Sequence, residues 1–127
     1  INVIKPGNNS GWPAITDGKD YNGSIISPFT EMKGMEQPIK YWVPSIAPSG
    51  MMLYDKDLFP EWKGSIFVSS MKPGSVRRLE LKENKIIQEH IIFDDLSRIR
   101  DIAFLPNGSI LLATDGSGGE IISVQPN

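Results

Sequence analysis

The chain has 127 residues, the length of one ordinary domain, with 39% hydrophobic and 22% charged residues and a formal net charge of −2. The longest basic run is Arg77-Arg78, which argues against a nucleic-acid or acidic-membrane partner held by a basic surface, and no apolar run approaches the eighteen or so residues of a membrane helix. The absence of cysteine excludes disulfides, thiolate metal sites and cysteine nucleophiles, while 12 glycines and 10 prolines exclude long helices, since each costs about 1 to 3 kcal/mol in a helix interior.

Ile1 to Ile4 reads as a strand without signal-peptide character, and Lys5-Pro6-Gly7-Asn8-Asn9 as a turn. Gly11 to Gln37 is loop-like, and Trp12-Pro13 is its expected packing anchor. A loop this long is uncommon in a compact domain unless it is functional or wraps a site.

From Ile46 onward, short apolar runs alternate with turn signals, which predicts an antiparallel all-β fold. Strands are expected at Met51–Tyr54, Ser65–Ser70, Ser75–Leu81 and Lys85–Phe93, separated by Asp55-Lys56-Asp57, Lys72-Pro73-Gly74 and Lys82-Glu83-Asn84. The pattern then restarts with Arg98–Leu105, the tight turn Pro106-Asn107-Gly108, Ser109–Thr114, a glycine-rich turn over Asp115–Gly119, and Glu120–Val124. Repeated four-stranded units of this length are the signature of β-propeller blades. The division expected is a strand and long loop over 1–44, one complete blade over 45–94, and a last blade over 95–127 that lacks its closing strand.

Five collinear segments resemble one family. They are Ile1 to Pro13, ending in Gly11-Trp12-Pro13; Pro44-Ser45-Ile46-Ala47-Pro48-Ser49-Gly50; Phe59-Pro60-Glu61-Trp62-Lys63-Gly64-Ser65-Ile66-Phe67-Val68; Arg98-Ile99-Arg100-Asp101 with Pro106-Asn107-Gly108; and Leu112-Ala113-Thr114-Asp115. Together they resemble the soluble glucose/sorbosone, or aldose sugar, dehydrogenases that use pyrroloquinoline quinone (PQQ). The resemblance implies a six-bladed propeller with PQQ at the top of the channel and calcium beneath it. The implied reaction oxidises the C1 hydroxyl of an aldose to a lactone, with hydride transfer to the quinone and a histidine as base. It implies a C-terminal portion covering about the last two blades, inactive alone, in a periplasmic or secreted protein. The remainder of the propeller, or another chain, would cover the open blade faces.

PQQ carries three carboxylates, and arginine's planar fork pairs with carboxylates through parallel charge-assisted hydrogen bonds. Arg98 and Arg100 stand two apart on an expected strand and project from one face. Spacing alone favours a solvated strand face over an anion clamp; the resemblance implies the clamp. It also implies that Lys72, at a strand end, reaches the cofactor, where an ammonium would stabilise charge developing on a quinone oxygen. Ser45 is implied near the cofactor. Tyr41 and Trp42 fall where relatives place aromatic residues over the substrate, with packing the other reading for both.

Asp101 is expected to orient neighbouring backbone or an arginine. The single histidine, His90, falls on an expected outermost strand and reads as structural, so no catalytic residue is assigned within this chain. Asp55-Lys56-Asp57 and Asp115 to Glu120 lack the regular oxygen spacing of a calcium loop and read as turns, leaving calcium ligands outside this chain. A non-catalytic propeller binding module is the alternative to the enzyme, though it would have no reason to keep a tricarboxylate clamp. A lactonase-like propeller would carry acidic metal ligands where this sequence has arginines.

Overall fold

In the computed structural model, residues 1–126 are described. The chain divides into two compact units, Ile1–Ser45 and Ile46–Asn127.

The first unit is held by turns and loop hydrogen bonds. Its ladder pairing is one isolated antiparallel bridge, Lys19 with Ile25. The expected strand over Ile1–Ile4 does not form: the Ile1 carbonyl accepts from the amide of Ile39 at 2.8 Å without continuing into a ladder. Trp12 is 67% exposed and is not the anchor that the sequence suggested. Gly11, at φ 91°, turns the chain so that the Ile15 amide donates to the Gly11 carbonyl at 3.0 Å, which places Ile15 inside instead. Further ties run from the amide of Thr16 to the carbonyl of Phe29 and from the amide of Glu36 to the carbonyl of Asn9.

The described residues of the second unit form seven strands, all antiparallel. Strands β1 (Pro48–Leu53), β2 (Ile66–Met71), β3 (Gly74–Lys82) and β4 (Lys85–Leu96) make one sheet in chain order. Strands β5 (Ile99–Phe104), β6 (Ile110–Thr114) and β7 (Ile121–Val124) make a second. The one helical segment among the described residues is a 3-10 turn, Pro60–Trp62, between β1 and β2. β1 stops at Leu53, a residue before the expected end, although the Tyr54 amide still donates to the carbonyl of Ser65 at 2.9 Å in the register of the ladder.

The two sheets share a core of Tyr54, Phe67, Val76, Ile99, Ile102, Ile110 and Leu112. Its aromatic part is built by Phe59-Pro60-Glu61-Trp62: the Phe59 and Trp62 rings stack at 4.3 Å, and Tyr54 and Phe67 each meet Phe104 edge-on. Such ring pairs add about 0.5 to 1.5 kcal/mol each beyond the area they bury. On the first strands of the two sheets, Ser49 Oγ donates to the Ile99 carbonyl at 2.6 Å and meets Ser69 Oγ at 3.0 Å.

β5 carries an irregularity that shapes the exposed rim. Ile99 pairs with Thr114 but Asp101 with Ala113, so β5 has one residue more than its partner. The buried residues Ile99 and Ile102 are therefore three apart, with Arg100 and Asp101 both exposed between them.

Candidate functional site

One rim of the second unit gathers the start of β5 and the ends of β2 and β6. β2 ends in Met71, followed by Lys72, whose amide donates to the Ile46 carbonyl at 3.1 Å. β6 ends in Thr114, followed by Asp115, whose amide donates to the Arg98 carbonyl at 2.7 Å.

Arg98 and Arg100 project to the same side, and the reporter is Met71: its sulfur lies 3.4 Å from Arg98 Nη2 and 3.6 Å from Arg100 Nη1. Arg98 is also paired side-on with Asp115, whose Oδ2 accepts from Nε at 3.3 Å and Nη2 at 3.2 Å. Arg98 Nη1 stays unused, and Arg100 has no carboxylate partner among the described residues. The pair is thus unequal. One guanidinium is braced by an acid, and the other is exposed, with a neutral sulfur as its side-chain partner among the described residues.

Asp101 Oδ1 accepts from the Ile102 amide at 2.8 Å and lies over Gly50 of β1, where a Cβ would run into it. It orients backbone, as expected, and pairs with neither arginine. Lys72 is exposed at the same rim, one residue beyond the sulfur that joins the arginines. Ser45, Tyr41 and Trp42 belong to the first unit. There Tyr41 is exposed and Trp42 half-buried in an open groove with Pro38, Ile39, Lys40 and Val43; the Lys40 ammonium stands 5.5 Å from the Trp42 ring centroid. That is a cation–π arrangement.

His90 lies on β4, which pairs only with β3 among the described residues. It donates from Nε2 to Glu80 Oε1 at 2.8 Å, the same oxygen that Arg78 Nη2 reaches at 2.8 Å. The His90 hydrogen bond first, and then the Arg78 charge and hydrogen bond, hold the Glu80 carboxyl below its ordinary range against partial desolvation. This is a strand-linking network on a different edge of the sheet. The Asp55-Lys56-Asp57 segment is another local affair: Lys56 sits 2.9 Å from Asp55, whose carboxyl is held low by it.

The donor set at the β5 rim fits an anion with carboxylate groups. Two guanidiniums offer unused N–H edges on one side, and a bridging carboxylate would gain charge-assisted bonds there. A metal is a different matter. Among the described residues, no three His, Cys, Asp or Glu side chains gather to hold one. Nor is any helix among them long and apolar enough to cross a membrane.

Comparison with known proteins agrees with this architecture. The profile of the Glucose / Sorbosone dehydrogenase family matches residues 1–123, and the chain belongs to that family. It is 36% identical over 129 residues to the aldose sugar dehydrogenase YliI of Escherichia coli, covering 99% of this chain and 35% of that protein. It is 33% identical over 126 residues to the uncharacterized protein slr1608 of Synechocystis, covering 98% of this chain and 31% of that one. Among solved structures, a glucose dehydrogenase superposes with a TM-score of 0.91 at 34% identity, over 99% of this chain and 37% of its own. The PQQ-bound aldose sugar dehydrogenase of Streptomyces coelicolor superposes with a TM-score of 0.66 at 25% identity, over 96% of this chain and 34% of its own. The chain therefore spans about a third of the length of the relatives it matches.

Proposed function

We propose that the two sheets are the last two blades of a six-bladed β-propeller, and that the whole protein is a PQQ-dependent dehydrogenase that oxidises the C1 hydroxyl of aldose sugars to lactones. The observation that carries this reading is the unequal arginine pair on one rim, with Arg100 lacking a carboxylate partner among the described residues. Membership of the glucose/sorbosone dehydrogenase family and the likeness to a PQQ-bound relative support it.

When bound, PQQ would supply the hydride acceptor. Arg98 and Arg100 hold its carboxylates, and Lys72 donates toward the quinone oxygens, where an ammonium lowers the cost of arriving negative charge. The resemblance, not the geometry, assigns Ser45 to the cofactor and Tyr41 and Trp42 to the sugar. The histidine base and the calcium ligands come from the rest of the protein, so this portion is inactive alone. The family resemblance supports a periplasmic or secreted whole protein. The remaining blades cover Met51, Leu53 and Ile91, which here are 56%, 54% and 50% exposed.

Titration of the full-length protein with PQQ, with an aldose and an electron-accepting dye as the second readout, tests the proposal. Saturable quinone binding followed by sugar-dependent dye reduction is expected. A full-length protein that binds no quinone, or binds it and reduces no dye with any aldose, would overturn it. Binding without turnover is the result that the binding-module alternative requires.

A further inference from the structure

The atom that joins the two arginines is an unusual choice. Guanidiniums repel each other, and a protein that brings two to one spot ordinarily places a carboxylate between them. Here the shared atom is the thioether sulfur of Met71, 3.4 Å from one and 3.6 Å from the other. A thioether is a weak acceptor without charge. It attracts N–H groups enough to orient them and neutralises nothing.

We propose that Met71 is a positioning residue of the anion site: its sulfur gathers Arg98 and Arg100 on one rim while leaving their charge, that of Arg100 above all, available to a carboxylate ligand. This rests on the reading of the rim as the quinone-carboxylate site. Three features support it. Met71 is fixed by its own backbone, since its amide donates to the Ala47 carbonyl at 3.0 Å, so the sulfur is offered from the ordered end of β2. Each guanidinium spends one edge on protein and keeps another: Arg98 uses Nε and Nη2, and Arg100 uses Nη1. Finally, Asp115 already pairs with Arg98, so a second acid at position 71 would offset the charge that remains on the arginine pair.

Ordinary packing is the competing role for a methionine at a strand end, and two substitutions in the full-length protein separate the roles. M71L conserves volume and apolarity but removes the acceptor. M71E supplies the carboxylate partner that Arg100 lacks among the described residues. The readouts are the dissociation constant for PQQ from an absorbance titration and the melting temperature without ligand.

M71L is expected to weaken quinone binding about 2- to 5-fold at unchanged melting temperature, the range of one exposed polar contact. M71E is expected to weaken it more than about tenfold, because an internal carboxylate competes for both guanidiniums, while the melting temperature holds or rises. A packing role predicts wild-type binding for M71L and a lowered melting temperature for M71E. Wild-type affinity in M71L overturns the proposal, and so does wild-type affinity in M71E. If Arg100→Ala weakens binding in that case, the anion-site reading survives and the positioning role alone fails. A wild-type protein that binds no quinone overturns both.

Discussion

The phenol of Tyr54, at the end of β1, donates to the carbonyl of Gly108 in the β5–β6 turn at 3.0 Å, across the boundary between the two sheets. The same oxygen accepts from the Phe59 amide at 3.2 Å, and the side chain is fully buried. Gly108 is required for this approach: its φ is 91°, and a Cβ there would press on Leu58 and the phenol itself. Tyr54→Phe keeps the ring packing and removes the bridge, leaving a buried carbonyl and amide without their partner. The expected cost is about 1 to 3 kcal/mol, read from chemical denaturation of the full-length protein. A change below a few tenths would mean that water replaces the phenol freely.

Gly74 opens β3 beneath the end of β4. A Cβ at this position would collide with the backbone carbonyls of Leu96 and Ser97, which are not flexible tips that swing away. Gly74→Ala must therefore separate β3 from β4 at the Gly74–Leu96 pair. The expected loss is about 1 to 3 kcal/mol, as for overpacked interiors. Amide exchange should accelerate first at Asp94 to Leu96, and unchanged protection there would refute the steric argument.

The seven strands of the described residues were legible because glycine, proline and polar turns punctuate short apolar runs, and the Asn107-Gly108 turn falls where the dipeptide places it. Strand ends were less so. β4 runs to Leu96, past the expected Phe93, through register shifts that no periodicity encodes. The two arginines were readable as a same-face pair from their spacing, but what surrounds them was not. In the sequence Asp115 is part of a turn, and its pairing with Arg98 depends on a hairpin that brings residues 17 apart together. Met71 carried no signal, since a thioether acceptor looks like any apolar residue at the end of a strand. Trp12 misled for the opposite reason: size suggested burial, while the turn at Gly11 decided it.

The Glu80 carboxylate links β3 and β4 through His90 and Arg78, and both partners hold its acid form off until lower pH than usual. Its folded pKa lies below the ordinary 4.5. The sign follows from linkage: the stabilisation is fully present above the unfolded value and is lost as pH falls through the depressed folded value. Wild-type stability should therefore decline below about pH 4.5 more steeply than that of Glu80→Gln, whose curve lacks this contribution. Melting temperature against pH for the two proteins measures it. Parallel curves in the acid range would show that the network holds no pH-dependent stability.

The arginines and Lys72 make separable predictions about binding and turnover. Arg100 is exposed and without an acid partner among the described residues, so its removal strains nothing in the fold and costs only what it does for a ligand. Arg100→Ala should weaken quinone binding about tenfold or more, the value of a charge-assisted bond, at wild-type melting temperature. Arg98→Ala should weaken it less, because Asp115 already offsets that charge. Lys72 stands at the same rim but is proposed to meet charge that appears only as hydride arrives. An interaction stronger in the transition state than in the ground state shows in kcat more than in affinity. Lys72→Ala should accordingly bind quinone within about threefold of wild type and lose about 100-fold in kcat, the scale of one lost oxyanion donor. Holoenzyme reconstitution by quinone titration, followed by steady-state sugar oxidation, separates the two effects. If Lys72→Ala loses affinity in step with turnover, the lysine holds the ground state and its assigned role is wrong. If Arg100→Ala binds as tightly as wild type, the carboxylates of the quinone lie elsewhere.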